Sequence, residues 1–118
     1  MIEILKKNFR HCKWANETII VYFGEYSIDD TKLLKFISHI LAAEKLWLKR
    51  LEGVGSINEP VWPEHGIEQC REMFANNSKS WEDYLERQDN ESLCEILSYK
   101  NQSGRDFSQT KIDIIQHV

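Results

Sequence analysis

Apolar side chains recur every three or four residues along three long stretches of this chain, which is the spacing of one face of an α-helix. The first stretch, from Ile4 to Phe23, contains no glycine and no proline. This pattern predicts a first helix over these residues. We expect it to end at Gly24, because glycine readily takes the positive φ found at many helix C-termini.

A second helix is predicted to begin at a cap supplied by Ser27 or Asp29 and to run to about Glu52. Serine and aspartate favour this position because their side-chain oxygens accept hydrogen bonds from the first free N–H groups of a helix. Gly53 and Gly55 follow and are expected to close the helix.

The segment from 53 to 66 holds both prolines and three of the five glycines, so it is predicted to be a loop. It is not a domain boundary, since neither flank is long enough to fold alone. A third helix is predicted from about Ile67 to Gln88. The run Asn76-Asn77-Ser78 weakens its middle, because these residues have low helix propensity.

The pattern changes after the third helix. Residues 95–107 place β-favouring residues around a polar turn, which predicts a short hairpin-like excursion. Thr110, with Asp113 three residues later, resembles a capping box and predicts a fourth helix from about Lys111. The sequence stops inside this apolar pattern after barely two turns, so we expect the fourth helix to be truncated.

These elements predict an all-α fold with one domain over residues 1–118. The expected architecture is an up-down-up-down four-helix bundle with a short hairpin-like excursion before an incomplete fourth helix. An incomplete fourth helix would leave an apolar seam uncovered, and exposed seams drive association. We therefore expect a homodimer.

Composition narrows the possible functions. The 118-residue chain has a formal net charge of -4 and no cluster of basic residues, which argues against nucleic-acid binding. No apolar run approaches the roughly 18 residues of a membrane span, and the N-terminus lacks the features of a signal peptide. The three cysteines are far apart, which suits a reducing cytoplasm and predicts small buried hydrophobes.

Two polar residues interrupt the second helix. At about 100° per residue, its broad apolar arc is formed by Leu33, Leu34, Ile37, Ile40, Leu41, Trp47, Leu48 and Leu51. The opposite side carries Lys35, Ser38, Ala42, Lys45 and Lys49. Glu44 falls near the middle of the arc and His39 on its border. A buried carboxylate must be paired, protonated or hydrated, so Glu44 is expected to bond to another helix unless it has a catalytic role.

His39 has two possible roles. A lone histidine is more often a packing residue than a ligand, because a zinc-type site needs three or four convergent donors. Its place at the flank of the arc, with the small Ala43 one turn later, leaves room for a cleft beside it. Asn16 is also unusual, since asparagine is disfavoured inside helices, and we expect it to form a specific hydrogen bond with a neighbouring helix.

Five segments carry a resemblance over nearly the whole chain. They are WAN (Trp14 to Asn16), SHILAAEKLWLKRLEG (Ser38 to Gly53), SWEDYL around Trp81, ILSYKNQSGRDFSQT (Ile96 to Thr110) and IDIIQHV (Ile112 to Val118). In their order and spacing, these segments resemble the DinB/YfiT-like family of metal-binding four-helix bundles. The second-helix segment and SYKNQSG are the more specific parts.

The resemblance implies a divalent metal, Ni or Zn, held by three histidines. His39 matches the ligand on the second helix, and His117 matches the first histidine of a run on the fourth. The later histidines of that run are missing here, so the implied metal site, with His39 and His117, is incomplete in this chain. The resemblance also implies a metal-dependent enzyme, a hydrolase or thiol S-transferase, acting on a small molecule. The alternative is a non-catalytic bundle that acts through dimerisation or partner binding.

Overall fold

Helices account for most of the chain in the computed structural model, which describes residues 1–54 and 59–118. The described part has four α-helices: α1 Ile2–Glu25, α2 Thr31–Leu51, α3 Ile67–Glu86 and α4 Lys111–His117. A 3₁₀ turn, Ser92–Cys94, precedes two strands, β1 Ile96–Lys100 and β2 Asp106–Thr110. The fold is thus mostly helical, with a small two-stranded antiparallel sheet. Within the same residues, no helix is both long enough and apolar enough to span a bilayer.

The first helix does not end at Gly24, contrary to the prediction. It continues to Glu25, and the positive φ after it, 49°, belongs to Ser27. The end of the exposed Arg71 side chain lies over Gly24: a Cβ at this position would lie 1.7 Å from its Nη2, so a larger residue would displace this flexible side chain.

The start of α2 was also predicted at the wrong residue. The cap is Asp30, and its carboxylate accepts hydrogen bonds from the N–H groups of Lys32 and Leu33. The end agrees with the prediction to within one residue. Gly53 has a φ of 85°, as the prediction of a glycine C-terminus requires, whereas Gly55 lies outside the described residues.

The hairpin and the fourth helix confirm the sequence analysis. Strands β1 and β2 pair in antiparallel register, with Tyr99 opposite Phe107. Thr110 then caps α4, because its hydroxyl accepts a hydrogen bond from the N–H of Asp113. The Arg50 guanidinium joins the hairpin to α2, with its carbon 4.6 Å from the centre of the Trp47 ring and 4.9 Å from that of Tyr99.

The core consists of two apolar clusters. One is formed by Leu48, Leu51, Trp81, Tyr84, Leu85 and Ile114. The other is formed by Ile20, Phe23, Ile37, Leu41 and Cys70. Polar residues lie between the two clusters on both α2 and α3. Helix α3 remains helical through the run Asn76-Asn77-Ser78, although these residues have low helix propensity. Both clusters bring α3 against α2, and the second also includes residues of α1.

The helical wheel misplaced part of α2. Ser38, which was predicted on the polar side, is fully buried: its hydroxyl donates to the carbonyl of Leu34 and lies 3.6 Å from the Sγ of Cys70. Conversely, Leu33 and Ile40 are 46% and 44% exposed although they belong to the predicted apolar arc. The reason is that α3 packs nearer to Ser38 than to the middle of that arc.

Candidate functional site

A groove of about 700 Å³ lies between α1, α2 and α3, at the end of α4. Its apolar walls are formed by Leu5, Phe9, Phe74, Trp81, Leu85 and Ile115. Its volume falls within the range of small-molecule binding sites in proteins, which are mostly apolar clefts with a few polar groups. The groove therefore has the size and lining expected of a small-molecule site.

A polar layer crosses the bundle between the two apolar clusters and reaches the groove. It consists of Asn16 on α1, Glu44 on α2, and Asn77 and Ser78 on α3, and all of these except Asn77 line the groove. Hydrogen bonds hold the layer together. Asn77 donates to the carbonyl of Leu41 at 2.8 Å, and Asn16 donates to Oε1 of Glu44 at 2.8 Å. The expectations that Asn16 and Glu44 each bond to another helix are thus confirmed.

Glu44 has the most perturbed carboxyl group of the groove. Burial raises its pKa from the ordinary 4.5 to about 7, and the hydrogen bond from Asn16 opposes part of that rise. The indole N–H of Trp81 donates to the backbone carbonyl of Glu44 at 3.0 Å, which fixes α3 beside this residue. A carboxyl group with a pKa near 7 is present in both protonation states at neutral pH, so it can both donate and accept a proton.

His39 does not line the groove. Its ring is half-buried and stacks on Trp62, with the ring centres 3.7 Å apart and the planes inclined by 5°. Its Nδ1 forms a hydrogen bond with the carbonyl of Val61. Because a carbonyl can only accept, Nδ1 carries the proton, and in the neutral ring Nε2 is left with a free lone pair. The space expected beside His39 is filled by the loop that carries Trp62.

His117 lies at the mouth of the groove and is exposed. Its ring meets Trp47 edge to face, with the centres 5.3 Å apart. Trp47 follows His39 by eight residues, or about 12 Å along the helix at 1.5 Å per residue. His39 and His117 therefore have different surroundings, and the structure does not bring their rings into one site.

The described residues do not fit a three-donor metal site. Among residues 1–54 and 59–118, no group of three or more His, Cys, Asp or Glu side chains is placed to hold a metal ion. Metal binding through His39 and His117 stays a prediction. His39 does have the carbonyl partner that often orients a metal-binding imidazole.

Sequence reasoning missed two members of the groove. Cys12 was predicted to be buried, but it is exposed and lines the groove one turn before Asn16. The four-residue spacing of Cys12 and Asn16 could have shown that they share a helix face. Ser78 was predicted only to weaken the helix. It lies three residues before Trp81, and this spacing could have placed it on the buried face of α3. Of the other cysteines, Cys70 is buried as predicted and Cys94 is exposed.

Comparisons with known proteins add no further assignment. No protein-family model, no curated protein and no solved structure matches this chain.

Proposed function

We propose that the groove is the substrate site of an enzyme of the hydrolase or thiol-transferase type, and that Glu44 is its proton-transferring group. The observation that carries this proposal is the position of the Glu44 carboxyl group, which is partly buried in the polar layer and also lines the groove. Perturbed acids in clefts are candidates for catalysis, because the same burial that shifts their pKa suits them to general acid–base work.

The chemistry of such a site follows from the two states of one carboxyl group. As a carboxylate, Glu44 accepts a proton from an attacking water or thiol, and as an acid it returns that proton to the leaving group. Asn16 bonds to Oε1, so Oε2 is the oxygen available to a substrate. The apolar walls favour a substrate with an apolar body and one polar reacting group.

We propose that the four helices form a DinB-like bundle. The predicted up-down-up-down order does not hold, because Ser38 lies against Cys70, Leu41 against Asn77 and Glu44 against Trp81, so α2 and α3 run parallel. The divalent metal implied by the resemblance is a separate expectation. It predicts that Ni²⁺ or Zn²⁺ binds to the protein, detected by calorimetry, and that His39→Ala removes this binding.

Turnover measurements test the enzyme proposal. A p-nitrophenyl ester serves for hydrolysis, and glutathione with an aryl chloride serves for thiol transfer, each followed from weakly acidic to weakly alkaline pH. We expect the rate to change with a midpoint near pH 7, where Glu44 titrates. Glu44→Gln should lower the rate by about a hundredfold or more, as expected for loss of a general acid–base group.

Two further variants make this test specific. Asn16→Ala removes the hydrogen bond that lowers the pKa of Glu44, so the midpoint should move to higher pH. Glu72→Gln alters an exposed carboxylate elsewhere on α3 and should leave rate and midpoint unchanged. Failure of the wild-type protein to turn over either substrate class faster than Glu44→Gln would overturn the proposal.

A further inference from the structure

Two apolar stripes are exposed on neighbouring helices. On α1 the stripe is Ile19, Tyr22 and Tyr26, and on α2 it is Leu33, Phe36 and Ile40. All six are between 40% and 63% exposed. Each stripe follows the spacing of one helix face, and the positions that extend the two stripes by one turn, Ala15 and Ala43, are also uncharged.

Both stripes lie on the same side of the molecule. On a helical wheel of α1, at about 100° per residue, Asn16 lies between the core residue Ile20 and the first stripe. On the wheel of α2, Glu44 lies between the core residue Leu41 and the second stripe. Asn16 and Glu44 bond to each other across the α1–α2 seam, so the two stripes lie beyond this seam on the side away from α3. We call these six residues the open face.

The open face is large for a surface exposed to water. With roughly 150–250 Å² for each large side chain and about half of it exposed, the six residues present about 600 Å² of mainly apolar surface. The largest patch on an ordinary monomer is about 300–600 Å². A standard interface buries about 800 Å² on each partner, so the open face would supply the greater part of such an interface.

The overall shape agrees with a missing layer. The Cα atoms extend over 44 × 33 × 17 Å, which describes a slab. The radius of gyration is 15.0 Å, whereas a compact domain of this length is expected to have about 13.5 Å. A chain with a layer packed on the open face would come closer to compact proportions.

We propose that the open face binds the open face of a second copy of this chain. The α1–α2 pair of each copy then contributes two helices to a shared four-helix interface. Two-fold pairing places the same apolar patch on both sides, which makes the surface self-complementary. The uncharged stripes suit this partner, because a strongly charged partner would have no opposite charges to pair with on them.

Sedimentation equilibrium of the full chain tests the proposal, from low micromolar to sub-millimolar concentration. A reducing agent prevents disulfides between the exposed Cys12 and Cys94 from linking chains. We expect a reversible dimer, and we expect Ile40→Glu to weaken it by about tenfold or more, since it places a charge in an apolar interface. Val21→Glu is the matched control: Val21 is 53% exposed on another side of α1 and should leave the dimer unchanged.

Circular dichroism shows whether each variant retains its helices. If Ile40→Glu does not fold, Leu33→Lys at the N-terminal end of α2 tests the same face at a position that is 46% exposed. A wild-type protein that stays monomeric throughout the concentration range would overturn the proposal. Equal weakening by Val21→Glu and by the open-face variant would also overturn it, because the dimer would then use another surface.

Discussion

Replacing Glu44 by glutamine should change how the stability of the protein depends on pH. In the unfolded chain this carboxyl group ionises near its ordinary pKa of 4.5, whereas in the folded protein burial holds the pKa at about 7. Below pH 4.5 the group is neutral in both states and contributes no difference. As the pH rises to 7, the unfolded state loses the proton first, so the free energy of unfolding falls.

The size of this effect follows from the two pKa values. A tenfold difference in proton affinity corresponds to about 1.4 kcal/mol, so a rise from 4.5 to about 7 corresponds to about 3 kcal/mol. This is a large share of the roughly 5–15 kcal/mol that stabilises an ordinary domain. Glutamine retains an acceptor for Asn16 and does not ionise, so Glu44→Gln should avoid this loss.

Urea unfolding followed by circular dichroism measures the effect. The stability of Glu44→Gln minus that of the wild type should be smallest near pH 4.5 and should grow by about 3 kcal/mol by about pH 8. Taking the difference removes titrations common to both proteins, and Glu72→Gln controls for the loss of an exposed carboxylate. Parallel stability curves for the wild type and Glu44→Gln would contradict this prediction, because they would mean that Glu44 ionises equally easily in both states.

Three other substitutions test individual contacts in the fold by urea unfolding at neutral pH. Tyr84→Phe should raise the free energy of unfolding by about 1 kcal/mol, because the Tyr84 hydroxyl is buried without a hydrogen-bond partner within the described residues; a loss of stability would contradict this. Asn77→Ala should lower the free energy of unfolding by about 1–3 kcal/mol, since it removes a buried hydrogen bond to the carbonyl of Leu41; no change would show that the polar layer is dispensable. His39→Ala removes the ring stacked on the Trp62 indole, so it should lower the free energy of unfolding by about 1 kcal/mol. It should also shift the fluorescence of Trp62 to longer wavelength, and an unchanged spectrum would contradict the observed contact.

Local features of the fold could be predicted from the sequence because their causes are local. The Thr110 cap requires only a hydroxyl and an N–H group three residues later, and both are fixed by the sequence. That Asn16 and Glu44 each form a hydrogen bond to another helix could be predicted, because a buried carboxylate and an amide inside a helix each need a partner. Their pairing with each other was not predicted, since it depends on how two helices pack.

Other features depend on distant parts of the chain. A helical wheel places Ser38 on the polar side of α2. In the structure it is buried by Cys70 of α3 and by the loop before α3, where the N–H of His65 donates to the Ser38 hydroxyl. Gly24 was predicted to end α1, but the helix continues to Glu25 and the positive φ falls at Ser27. A wheel ranks positions by polarity alone and cannot show which neighbouring element packs against each face.

Glu44 lines the groove as a carboxyl group whose pKa burial raises to about 7. Carbon NMR of isotope-labelled protein measures the titration of this group directly, with its signal assigned from the Glu44→Gln spectrum. We predict a midpoint near pH 7 that moves to higher pH in Asn16→Ala. A midpoint near 4.5 in the wild-type protein would contradict it, because the carboxyl group would then behave as though it were fully exposed to water.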